Sequence, residues 1–140
     1  KYNQINEIMR EIRYRGIGIA ERKWVFGSLW FDTRNKATLI WSEELKYWVR
    51  VDPATVGQYT GLKDEHGKEI YEGDVIRSPL SEDKTRPHRI FYHTGNAAFM
   101  GALVDRKELC YLRLDQDWIY KFGKEVIGNI HDNPELLKNE

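Results

Sequence analysis

Val56-Gly57-Gln58-Tyr59-Thr60-Gly61-Leu62-Lys63-Asp64-Glu65-His66-Gly67-Lys68-Glu69-Ile70-Tyr71-Glu72-Gly73-Asp74-Val75-Ile76-Arg77 is the stretch that sets the fold class. Its glycines at 57, 61, 67 and 73 mark tight turns or places where two backbones come close, because glycine alone takes positive φ without a steric penalty. Between them only short runs remain, so the segment reads as short strands joined by tight turns.

The same rhythm extends in both directions. Upstream, Ile12 and Tyr14 alternate with Glu11, Arg13 and Arg15, the two-residue period of a strand with one wet face, broken by Gly16 and Gly18. Lys23 to Phe31 is dense in aromatic and β-branched residues that suit a pleated surface, and Asp32-Thr33-Arg34-Asn35 is a turn leading to a return strand at Lys36 to Trp41. A strand follows at Tyr47 to Val51. Asp52-Pro53 then reads as a helix cap with proline in the first position, predicting a short helical turn at Pro53 to Val56.

Downstream, Pro79 to Pro87 is a polar, proline-bounded loop. Strands are expected at Arg89 to His93, Ala97 to Val104, Leu109 to Leu114, Trp118 to Lys121 and Glu125 to Ile130, and Asn133-Pro134 starts a terminal helix through Lys138. The expected class is mainly β, a β-rich α+β domain. Its architecture is a small barrel or sandwich of short antiparallel strands with short helical turns.

Composition bounds the function. At 140 residues the chain can bury roughly two-thirds of its unfolded surface around one core. Residues 9–140 are therefore read as a single domain, with 1–8 as an N-terminal extension before Met9. With 41% hydrophobic and 31% charged residues the chain should fold unaided, and no apolar run is long enough to cross a membrane as a helix. Without a secretory signal and with Cys110 as its single cysteine, it is expected in the reducing cytoplasm, with no disulfide and no membrane partner. The 22 basic and 22 acidic residues cancel, so nucleic-acid binding must rest on a local patch. Divided after Thr60, the first part carries 10 basic against 7 acidic residues (+3) and the remainder 12 against 15 (−3), a polarity suited to self-association.

The phosphate-loop, nucleophile-elbow, zincin and Cys-x-x-Cys patterns that mark common enzyme classes do not occur. Cys110 sits in an apolar strand and reads as a buried thiol. His66, His88, His93 and His131 are scattered, so no metal site and no cofactor are assigned, although His88 and His93 can face one another across a loop. Glu72 and Asp74 around Gly73 read as a tight turn more readily than as an acid–base pair. No catalytic residue is assigned. If the chain is an enzyme of unrecognised type, its groups are Asp64, His66, Glu72 and Asp74.

Two basic segments lie beside aromatics, the arrangement of single-strand stacking platforms: Arg10, Arg13 and Arg15 with Tyr14, and Lys84, Arg86, His88 and Arg89 with Phe91 and Tyr92. From these, Arg13, Arg15, Arg86, Arg89 and Tyr92 are the candidate nucleic-acid contacts. The five tryptophans, Trp24, Trp30, Trp41, Trp48 and Trp118, are too many to be enclosed in so small a core, so some belong to an interface.

Several segments together resemble the YopX family encoded by bacteriophages and prophages of Gram-positive bacteria. They are Met9 to Gly16, Lys23-Trp24-Val25-Phe26-Gly27-Ser28-Leu29, Val51 to Leu62, Asp64 to Ile76, and Val126-Ile127-Gly128-Asn129-Ile130-His131-Asp132-Asn133-Pro134-Glu135-Leu136-Leu137. Within them Gly67-Lys68-Glu69-Ile70-Tyr71-Glu72-Gly73-Asp74 is the most specific piece, and residues 1–8 fall outside the pattern. The resemblance implies a mainly β fold, a phage or prophage origin and action in the bacterial cytoplasm. It carries no activity, cofactor or catalytic residue. The combined expectation is a non-enzymatic accessory protein that works by binding, as a homo-oligomer or with a phage or host protein; the alternatives are a nucleic-acid-binding module and an unrecognised enzyme.

Overall fold

The computed structural model describes residues 9–79, 86–104 and 111–137. The N-terminal extension, Lys84, Cys110, Lys138 and most of the Pro79 to Pro87 loop lie outside the described residues. The fold is mainly antiparallel β. Its strands are β1 (Tyr14–Ile17), β2 (Trp24–Asp32), β3 (Ala37–Ser42), β4 (Trp48–Arg50), β5 (Gly57–Lys63), β6 (Glu69–Tyr71), β7 (Asp74–Arg77), β8 (His88–His93), β9 (Ala98–Leu103), β10 (Tyr111–Arg113) and β11 (Glu125–Asn129). Among the described residues α1 (Gln116–Lys121) is the one α-helix. Six strands form a sheet in the order β4-β3-β2-β1-β5-β6, and five form another in the order β10-β9-β8-β7-β11. The chain divides into two compact units between Gly61 and Leu62.

In the first unit the β2–β3 hairpin pairs in register from Gly27↔Ser42 to Asp32↔Ala37. Its turn is closed by the Asp32 carboxylate, which accepts hydrogen bonds from the Arg34 and Asn35 backbone N–H groups and from the Asn35 side chain. Gly27 is required by proximity: a Cβ there would collide with the Trp41 carbonyl oxygen. The expected turn after β4 is present as a 3-10 turn at Pro53–Thr55, where Asp52 accepts from Ala54 N–H at 3.0 Å. Thr55 Oγ1 then accepts from Ile17 N–H at 2.8 Å and ties this turn to β1. Val25, Ile40, Val49 and Val51 form the core, with Tyr14 and Val56 packed against it. Each such aliphatic side chain contributes about 1.5–3 kcal/mol when fully buried.

The second unit has its own core of Ile70, Ile76, Ile90 and Ile119, supported by Leu62, Leu114, Trp118 and Val126. Ile119 comes from α1, at a place where a strand over Trp118 to Lys121 was expected. The helix forms because Asp115 is a cap and not a turn residue: its carboxylate accepts from Trp118 N–H at 2.8 Å, Asp117 lies in the first turn and Lys121 in the last. Those charges suit the helix dipole at both ends. The terminal segment is a 3-10 turn, Pro134–Leu137. Asn129 secures its approach by accepting from the His131 and Asp132 N–H groups, each at 2.9 Å.

β1 also departs from the alternation read in the sequence. It starts at Tyr14 and continues through Gly16, and Arg15, expected on a wet face, is only 7% exposed. Its guanidinium lies 4.5 Å from the Trp24 ring centroid, an arrangement that lets a cation sit among apolar atoms.

A tryptophan-bearing sheet face as the candidate functional site

The register of β1 to β4 sorts their side chains onto two faces. Val25, Ile40 and Val49 point into the core. Cross-strand partners share a face, so Ser28↔Trp41 and Trp41↔Trp48 put Trp41 and Trp48 on the side of Trp24, Phe26 and Trp30, which alternate with the core residues along β2. Leu39, opposite Trp30, and Arg50, opposite Leu39, complete this side.

The face is in solvent: Phe26 is 40% exposed, Trp30 48%, Trp41 36% and Trp48 42%. At about 150–250 Å² per aromatic side chain these fractions leave roughly 250–400 Å² of aromatic surface in water. Patches of about this size, the largest on an ordinary monomer being roughly 300–600 Å², are often functional. The rings pack on each other, Trp30 and Trp48 with centroids 5.5 Å apart and tilted 59°, Trp41 and Trp48 5.6 Å apart and tilted 72°. The second of these contacts is edge-to-face and the first is tilted.

The candidate nucleic-acid residues fall in two places. Arg13 is paired with Glu11, lies 3.5 Å from Glu43 and sits 5.8 Å from the Tyr59 ring centroid, while Arg15 lies beneath Trp24. In the second unit Arg86 is half-buried ahead of β8, and Arg89 lies 5.3 Å from the Phe91 ring centroid. Alternation along β8 separates Arg89, Phe91 and His93 from His88, Ile90 and Tyr92. Tyr92 accordingly stacks edge-on with Phe99 on the opposite face from Arg89, and His88 and His93 also point to opposite sides.

The carboxylates suggested for an enzyme are engaged with backbone. Asp64 accepts from the N–H groups of His66 at 2.8 Å, Lys68 at 2.9 Å and Val126 at 3.0 Å, and Asp74 accepts from Tyr71 N–H at 2.8 Å. Both are buried, and Glu72 lies in the turn between β6 and β7. The exposed His66 ring instead meets Glu125 at 3.1 Å, and this hydrogen bond holds the imidazole pKa above its ordinary value, opposed by desolvation and reinforced by the charges of Asp64, Glu125 and Glu65. Among the described residues, no group of three or more His, Cys, Asp or Glu side chains is placed to hold a metal ion.

A family described as YopX protein matches residues 13–138, nearly the whole chain. The chain belongs to the YopX family. Among solved structures this YopX protein is similar to that titled "Crystal structure of protein EF1440 from Enterococcus faecalis", with a TM-score of 0.61 and 26% identity, over 93% of this chain and 100% of the other. No curated protein matches its sequence. No helix among the described residues is long and apolar enough to cross a membrane.

Of the five tryptophans that stand out in the sequence, four share this face, an assembly the sequence reading does not supply, and the fifth, Trp118, supports the second core. The signal lay in β2, where Trp24, Phe26 and Trp30 share parity, and it needed the register of β3 and β4 to become a surface.

Proposed function

We propose that this YopX protein is a phage- or prophage-encoded accessory protein of the bacterial cytoplasm that works by binding and not by catalysis, and that it assembles with further copies of itself through its tryptophan-bearing face. The exposed cluster of Trp30, Trp41 and Trp48 carries this reading, because a sheet face of that composition costs solubility unless a partner covers it. A second copy is the occupant chosen because an aromatic sheet face is complementary to itself, as a two-fold contact between identical surfaces requires. Two such faces brought together remove on the order of 500–800 Å² of aromatic surface, the apolar centre of an interface toward the small end of the ~1,200–2,000 Å² class.

Sedimentation velocity over a concentration series tests this. The native chain is expected to shift to a dimer or larger species, and a Trp30→Ser/Trp48→Ser variant with an unchanged circular dichroism spectrum to stay monomeric. A native chain that remains monomeric at the highest concentrations, or a variant that still associates, defeats the reading.

A second reading has its own observation. Arg89, Phe91 and His93 line one face of β8, with Met100 opposite Phe91, which is a short strip of basic and aromatic groups fit for a single-stranded nucleic acid. Binding of an oligothymidylate that weakens with added salt and is lost in Arg89→Gln supports it, and salt-independent binding rejects it.

A further inference from the structure

We infer that the first unit carries, at the edge of the tryptophan-bearing face and sharing Trp24 and Phe26 with it, an acceptor site for a cationic side chain, a lysine or arginine presented by a partner protein. The site is a cleft of about 500 Å³ beside the start of β2, whose lining includes Trp24, Phe26 and Tyr47 together with Glu21, Glu43 and Glu44. That volume is within the ~300–1,000 Å³ of ordinary ligand pockets.

Two rigid turns build it. Residues 18–23 close on themselves through Arg22 N–H to Gly18 O at 2.8 Å and Gly18 N–H to Lys23 O at 2.9 Å, which fixes the base of Glu21. Residues 42–47 close through Ser42 N–H to Tyr47 O at 3.0 Å and Leu45 N–H to Ser42 Oγ at 2.8 Å. Glu43 N–H donates to Phe26 O at 3.1 Å and fastens the second turn to β2. The walls are thus set before any ligand arrives, which reduces the ordering cost of binding.

Charge identifies the occupant. Six acidic residues lie between 9 and 61, and three of them line this one cleft, against a single lysine, Lys23. The lining is net −2 within a unit whose overall charge is +3. Arg13 shares Glu43 at 3.5 Å, whereas among the described residues neither Glu21 nor Glu44 has an ion-pair partner. Arg15 already lies over Trp24, so an incoming cation meets Tyr47 with the two carboxylates of Glu21 and Glu44. An aromatic ring beside carboxylates is the chemistry that takes a guanidinium or ammonium group.

The test is a titration of the full chain with N-acetyl-Ala-Arg-Ala-amide, followed by backbone and indole ¹H–¹⁵N spectra, beside the same tripeptide with neutral citrulline in place of arginine. Shifts are expected at the Trp24 indole and at the amides of residues 43–47, and Glu21→Gln/Glu44→Gln is expected to weaken binding by roughly threefold or more, as the loss of two exposed ion pairs implies. The inference fails if the arginine peptide does not bind, if the citrulline peptide binds equally, if the shifts map elsewhere, or if the double variant binds as well as the native chain. Repeating the titration in the Trp30→Ser/Trp48→Ser background separates this site from self-association, because the cleft uses neither tryptophan.

Discussion

Removing the Asp64 carboxylate is the sharpest perturbation this fold offers. Asp64 is 2% exposed, and its two oxygens divide the labour: Oδ1 accepts from His66 and Lys68 N–H within the turn, and Oδ2 accepts from Val126 N–H on β11. Hydrogen bonds to an ionised group contribute about 1.5–3 kcal/mol each, and three that share one carboxylate overlap, so Asp64→Ala should cost about 4 kcal/mol by leaving three donors without their acceptor. Asp64→Asn keeps one acceptor oxygen. Oriented to serve the turn, it loses only the Val126 bond and should cost about 1–2 kcal/mol. Against a total stability of about 5–15 kcal/mol both losses are large. Urea unfolding followed by tryptophan fluorescence reads them: at about 2 kcal/mol per molar, the midpoint should fall by about 2 M for alanine and somewhat under 1 M for asparagine. If the alanine variant is too unstable to purify, the asparagine variant still gives the number. An alanine cost below about 1 kcal/mol, or equal costs for the two variants, would refute the assignment of Asp64 as a backbone acceptor joining turn to strand.

Two other outcomes follow from local geometry. Gly27→Ala should destabilise by about 3 kcal/mol, because its Cβ meets the Trp41 carbonyl, whereas Gly67→Ala, at φ +82 with open space around it, should cost only about 1 kcal/mol; thermal unfolding that ranks them the other way contradicts the close approach. His66 titrates with a raised pKa in the folded chain, so its pairing with Glu125 stabilises fully below the ordinary histidine value and fades as pH rises through the raised one. A His66 proton-NMR titration should show the elevated value, and Glu125→Gln should return it toward the ordinary value.

Much of the fold was legible because its punctuation is chemical. Asp52-Pro53 can cap and start a helical turn whatever surrounds it, and it does. The short-range pattern failed where one residue type serves two purposes. Asp115-Gln116-Asp117 has turn composition, yet aspartate favours turns and helix caps for the same reason, a short side chain that reaches a nearby backbone N–H. With only the six residues Gln116–Lys121 in α1, the helical period cannot be told from a strand.

The candidate site was less legible, and the cause is specific to β2. A strand with one polar face announces which side is buried. β2 carries Val25, Leu29 and Phe31 on one side and Trp24, Phe26 and Trp30 on the other, so both faces are apolar and alternation alone assigns neither. The choice is made by pairing: Ile40 and Val49 join Val25 to close a core, and this commits Trp41 and Trp48 to the opposite side with Trp30. Branched aliphatics pack that core without polar atoms, whereas each indole brings an N–H that needs a partner. The choice of Val25, Ile40 and Val49 for the core therefore follows from core chemistry, while Phe31, on the same side of β2, stays 57% exposed. The tryptophans left in water by that choice are the surface on which the proposed binding function rests.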